Sequence, residues 1–192
     1  MRFVAPCLSQ IQISISDMND GTALVILDLQ VGNFDPRYPI FEGERLISTA
    51  KILVQRARSA NIPIIYILNN GPEGEVDEPY TSGWEVHPEI TPFDNDVQIQ
   101  KTTPDAFHKT ELKVTLDSLG IKRLIIAGLQ TEFCIDTTCR RGSLLGYDIV
   151  LVKDGHSTWD SEILPAQKII EHHNRVLGDW FVELSEADEI EL

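Results

Sequence analysis

Hydrophobic and polar positions alternate along this chain in two distinct rhythms. "TALVILDLQ" (Thr22 to Gln30), "PIIYILNN" (Pro63 to Asn70), "RLIIAGL" (Arg123 to Leu129) and "DIVLVKD" (Asp148 to Asp154) are short, nearly continuous apolar runs. Such runs predict strands buried on both faces, as in parallel sheets. "DVQIQK" and "WFVELS" are weaker strands, the first ending at Lys101. Between them the period changes. Leu46, Ile47, Ala50, Leu53, Val54 and Ala57 fall at helical spacing. "KTELKVTLDSLG" predicts a helix closed by Gly120, and "TEFCIDTTCRRGSLLGY" a second. "LPAQKIIEHHNRVLG" predicts a third, with Pro165 near its start and Gly178 at its end.

Regular alternation of strand and helix predicts an α/β fold, a three-layer α/β/α sandwich over residues 21–192. Neither an internal repeat nor a linker divides it. Residues 1–20 form a separate arm in which Ile11, Ile13 and Ile15 alternate with Gln and Ser, the pattern of a short strand; Met18 is an alternative start. A signal peptide is not expected, because the arm lacks a continuous apolar core. The stretch from Asn69 to Asp94 is polar, rich in Pro and Gly, and long for a plain connection. In open parallel sheets ligands bind at the carboxyl ends of strands. Three chemically capable side chains occupy such ends: Asp28, Lys101 and Cys134.

Composition narrows the function classes. Hydrophobic residues make up 42% and charged residues 24% of 192, as in ordinary globular proteins. No apolar run approaches the ~20 residues that span a bilayer. The formal net charge of −14 disfavours nucleic acid and anionic membrane as partners. Much of the excess lies in "GPEGEVDE" and in the tail "ELSEADEIEL", where solubility is the plainest explanation. Three cysteines, Cys7, Cys134 and Cys139, make neither a disulfide framework nor a zinc set, and a reducing cytoplasm fits them.

A thiol attacks as its thiolate. Thr131 is a candidate N-cap that would put Cys134 in the first turn of a helix, where unpaired N–H groups and the positive dipole end favour an anion. A lysine nearby would help, and a carboxylate could carry the proton from thiol to leaving amine. Each residue also has a plainer role. Cys can be a small core residue, Asp a turn former and Lys a solvated surface group. Cys139, with Ile135, Gly142 and Gly146, is expected to form the small apolar face of its helix. The residue types leave both readings open.

"ALVILDLQVGNF", "KTTPDAFHKTEL" and "LIIAGLQTEFCIDTTCRRGSLLGYDIVLVKDGHSTWD" resemble, in order, the three signature blocks of the isochorismatase-like cysteine hydrolases. The resemblance spans roughly 22–185. It implies a six-stranded parallel sheet and a catalytic Cys134, Asp28 and Lys101. It also implies a cis peptide between Leu129 and Gln130 that aims the N–H groups of Gln130 and Cys134 at an oxyanion. Retention of Cys134 points to C–N cleavage of a small amide, ureido or carbamoyl compound through a thioester. The alternatives are vinyl ether hydrolysis and a non-catalytic scaffold. The metal-binding D-x-H of the nicotinamidase branch is absent, with His87 the one histidine in that region, so neither metal nor cofactor is expected. Gln130 is a candidate substrate hydrogen-bonder, and Phe34 and Trp84 are candidate pocket walls with core packing as their alternative. His156 is a candidate support for a neighbouring helix or a subunit contact. The resemblance further implies a homo-oligomer, dimer or tetramer, with the arm available for pairing between subunits.

Overall fold

Six aliphatic runs become six parallel strands of one sheet in a computed structural model that describes residues 21–192. The arm of residues 1–20, with Cys7 and Met18, lies outside the described residues. Chain order is β1 (Thr22–Leu27), α1 (Gly43–Ser59), β2 (Ile64–Asn69), β3 (Val97–Lys101), α2 (Leu112–Ser118), β4 (Arg123–Leu129), α3 (Asp136–Leu144), β5 (Asp148–Ser157), α4 (Ala166–Gly178) and β6 (Glu183–Ser185). The spatial order is β3-β2-β1-β4-β5-β6, so the chain winds outward one way from β1 and then crosses back to β4. The carboxyl ends of β1 and β4 therefore flank the switch point, where a crevice opens in folds of this kind.

Both sheet faces are apolar because β1, β2 and β4 alternate nothing: all six residues of β1 are buried. Leu24, Ile26, Tyr66, Leu68 and Ile125 face α1, which contributes the Leu46, Ile47, Ala50, Leu53, Val54 and Ala57 stripe. Val25, Leu27, Ile65, Ile67 and Ile126 face the opposite layer, with Leu112 and Leu116 of α2, Cys139 of α3 and Leu177 of α4. The acidic tail is partly structural. Ala187 and Ile190 are buried against the α1 layer, and Arg56 donates to both of their carbonyls.

Several elements differ from the sequence expectation. β5 runs to Ser157, because its pairing with β4 shifts between Ile126 and Gly128, bringing His156 beside Gly128. The helix of Cys134 does not begin as a regular α-helix: Thr131–Ile135 form one π-turn before α3. Gly120, at φ +67°, ends α2 as expected. Gly142 packs α3 closely, an added Cβ meeting Ile149 Cδ1 at 2.9 Å. Gly146 does not share that role; at φ +91° it lies in open space just past the helix end, where a left-handed residue turns the chain.

Gly128 has the stricter requirement. Its φ is +134°, and a Cβ there would stand 2.0 Å from the backbone oxygen of Leu27. Gly128→Ala is expected to destabilise the fold by about 2–4 kcal/mol, from overpacking against an immovable strand plus backbone strain. Gly142→Ala meets only the end of an isoleucine side chain and is expected to cost about 1 kcal/mol. Urea denaturation of the two variants beside the parent checks the ranking; equal midpoints would contradict it.

Candidate active site

Strand register assembles a polar cluster at the carboxyl edge of the sheet. Asn69 of β2 pairs directly with Lys101 of β3. Asp28 follows the last residue of β1 and adopts a left-handed backbone, φ +53°, which breaks the strand alternation; Asn33 Nδ2 donates to its carbonyl oxygen at 2.8 Å. Cys134 comes from the turn after β4. The Lys101 ammonium lies 2.8 Å from Asp28 Oδ2, 3.2 Å from Cys134 Sγ and 3.2 Å from Asn69 Oδ1, so each of its three protons has an acceptor. Asp28 Oδ1 is buried and has no hydrogen-bond partner.

Burial sets the charge states here. Lys101 is 2% exposed and Asp28 4%. Burial pushes the Asp28 carboxyl above its ordinary value, more than the Lys101 charge pulls it down. Burial alone would lower Lys101, but Asp28 and the thiol together hold it above its usual value. Cys134 is pushed up to about 12, first by burial and then by the Asp28 charge, against the pull of Lys101. Desolvation and the Asp28 charge thus oppose the standing thiolate expected from a helix N-terminus and favour a neutral thiol beside the buried ion pair. The expected cap is also corrected, since the π-turn begins after Gln130 with no side-chain cap, and Thr131 is used elsewhere.

Thr131, fully buried, meets His156 Nδ1 at 2.9 Å, and His156 Nε2 meets Asn174 Oδ1 at 2.9 Å. Asn174 Nδ2 donates to the Lys153 carbonyl, which fixes the amide so that Oδ1 accepts from His156. The imidazole thus carries its proton on Nε2 and accepts the Thr131 hydroxyl on Nδ1. Burial lowers its pKa to about 4, keeping it neutral. The histidine ties the nucleophile turn to β5 and α4. The Leu129–Gln130 peptide is cis, and the Gln130 carbonyl accepts the N–H groups of Phe133 and Ile135 at 3.1 Å each.

A cavity of about 330 Å³ opens onto Cys134. Asp28, Leu129 and Gln130 line it, together with Asn33, Asn69, Asp77, Phe133 and Trp159. Gln130 is present as expected, but its Nε2 already donates to Glu132 Oε1 at 2.9 Å. Phe34 and Trp84 do not line this cavity. Phe34 stacks edge-on against His87, at 4.9 Å, over the outer surface of α1. The Trp84 indole donates to Asn70 Oδ1 at 2.8 Å, the loop-anchoring alternative. His87 Nδ1 accepts locally from the Glu89 N–H. Among the described residues no three His, Cys, Asp or Glu side chains gather as a metal site would require.

The loop itself is held by Gln30, which sequence reasoning overlooked. Its buried amide donates to the carbonyls of Asn69 and Trp84 and accepts from the Asn69 N–H. Asn69 and Asp77 were equally unmarked. A polar residue at the end of a second aliphatic run, matching Asp28 and Lys101, was the available signal for Asn69.

The family described as Isochorismatase domain matches residues 22–170. Streptothricin hydrolase of Streptomyces noursei is 31% identical over 170 residues, covering 88% of this chain and 61% of that protein. This chain therefore spans about three fifths of that relative's length. Ureidoacrylate amidohydrolase of Caulobacter vibrioides is 24% identical, covering 69% and 75% of the two chains. The crystal structure of an isochorismatase from Pseudomonas putida superposes with a TM-score of 0.84 at 26% identity, over 89% of this chain and 90% of that one. The family match over most of the length and the superposition of the whole fold agree, and the chain belongs to the isochorismatase family of hydrolases.

Proposed function

We propose that this protein hydrolyses a C–N bond of a small amide, ureido or carbamoyl compound through a thioester on Cys134. The observation that carries this reading is the unpaired Asp28 Oδ1 beside a thiol whose sulfur already accepts a hydrogen bond from Lys101. With its lone pair engaged by the ammonium, the S–H is left to the free carboxylate oxygen; the two groups are near enough to perturb one another.

Asp28 removes the thiol proton as sulfur attacks the carbonyl carbon, so no thiolate need accumulate. Lys101 steadies the sulfur and keeps Asp28 oriented. The carbonyl oxygen becomes an oxyanion, for which the N–H groups of Gln130 and Cys134 are the proposed donors. Protonated Asp28 passes its proton to the nitrogen as the C–N bond breaks, and amine or ammonia departs. Asp28 then takes a proton from water, the oxygen attacks the thioester, and the proton returns to sulfur as the acid is released. A relative named as an amidohydrolase, and another named as a hydrolase, support the class of reaction, not a particular substrate.

A panel of small amides, ureas and carbamoyl compounds assayed for released ammonia or amine tests the reaction. Cys134→Ala is expected to lower turnover by about 10³-fold or more while leaving the circular dichroism melt unchanged; an active, folded variant would refute the thioester route. The pH dependence supplies a separate check. Asp28 must be ionised to act as base, and its pKa is raised above 3.8. Activity is therefore present above that raised pKa and lost as pH falls through it. The acid limb of kcat/KM should lie above the ordinary carboxylate range; a limb at or below 3.8 would contradict the assignment.

A further inference from the structure

The charge of the cavity wall is one-sided. Its two ionisable carboxylates are Asp28 and Asp77, and the single cation in contact with the cluster, Lys101, spends all three protons on Asp28, Asn69 and Cys134. Among the described residues nothing cationic on the wall is left to receive a carboxylate or phosphate. Asp77 has one oxygen accepting from Asn69 Nδ2, at 2.6 Å, and makes no ion pair with any described residue. Its carboxylate lies against Gly71, where an added Cβ would come within 1.9 Å of Oδ1, so the glycine leaves the room it occupies. Glu73, Glu75 and Glu78, on the same loop, also have no ion-pair partner among the described residues.

Two further features point to the same ligand chemistry. Phe133 and Trp159 line the cavity, and aromatic ring faces attract cations. Asp28, 4% exposed, lines the same space and has a buried carboxylate oxygen, Oδ1, with no hydrogen-bond partner. From these we infer that the cavity selects a positively charged substrate, one whose scissile amide, ureido or carbamoyl group stands near an ammonium or other organic cation, with Asp77 as the specificity-determining residue that receives that charge. The inference rests on the reaction proposed above and adds the substrate class. It also gives the acidic Gly71–Glu78 stretch a use beyond solubility. Asp77 raises the pKa of Asp28, and a cation seated between them offsets that repulsion and favours the ionised base.

Cys134 reports on its own cavity without the substrate being known. Three methanethiosulfonates of similar size, ending in trimethylammonium, hydroxyl or sulfonate, each form a mixed disulfide with release of methanesulfinate and the thiol proton. Site-resolved mass spectrometry follows Cys134 apart from the other two cysteines, and each rate is divided by that with a free small thiol. The cationic reagent is expected to outpace the anionic one by about tenfold or more at low salt, the ratio shrinking toward 0.5 M salt. Asp77→Asn keeps the hydrogen bond from Asn69 and should lower the ratio several-fold. Glu183→Gln, on the distant edge strand β6, should leave it unchanged and so removes the effect of net charge. An anionic reagent as fast as the cationic one, or a ratio indifferent to Asp77→Asn, overturns the inference while leaving the nucleophile intact. A Cys134 inert even to the neutral reagent overturns the thioester mechanism and this inference with it.

Discussion

The buried ion pair between Lys101 and Asp28 organises everything at the carboxyl edge of the sheet. Both partners are almost wholly buried, and a lone charge in that position would be costly, so each requires the other. Stability is weak grounds for such a pair, since well-packed apolar side chains often replace a buried ion pair without loss. Its effect is positional and electrostatic. It forces the ammonium into a fixed spot between three strand ends, and from there the ammonium touches a thiol that burial would otherwise leave inert. Removing either partner would strand a charge and disturb fold and site together.

Rigidity behind the thiol comes from a different source. The π-turn at Thr131–Ile135 is a departure from regular helix, and such turns cluster at functional sites. It is braced by side chains rather than by the helix itself: Thr131 to His156, His156 to Asn174, and Gln130 and Thr158 to Glu132. A neutral, fully buried histidine suits that task, because its two nitrogens accept and donate in fixed directions without changing charge near neutrality. The shift in pairing between β4 and β5 is what delivers His156 to this place.

In front of the thiol, the chain from Asn69 to Asp94 is long but not loose. Gln30 pairs with it as a strand would, and an isolated bridge joins Gln30 to Val86. The loop thereby presents Asp77 to the cavity and turns Trp84 and His87 toward other neighbours.

The strand and helix pattern was legible because it depends on local chemistry. Aliphatic runs such as Ala23–Leu27 bury wherever they are placed, and the α1 stripe can face only a core. That Asp28, Lys101 and Cys134 stand at strand ends followed from the same pattern, and the resemblance of three blocks pointed to their joint role. Side-chain partners across the sheet were not legible. Nothing local distinguishes Lys101 from a surface lysine, and its burial arises only when β3 lies beside β2 in the register that pairs it with Asn69. The same holds for the thiol: a helix start suggests an anion, whereas desolvation and the neighbouring Asp28 charge oppose one. Phe34 and Trp84, candidates from the sequence, do not line the cavity, while Asp77 and Trp159 converge on it from 82 positions apart. Sequence by itself determined which segments bury and which residues stand at their ends, because those outcomes follow from local hydrophobicity and periodicity. Only the tertiary structure decided which ends meet, which charges lose water and what faces the thiol, because those depend on groups distant in the chain.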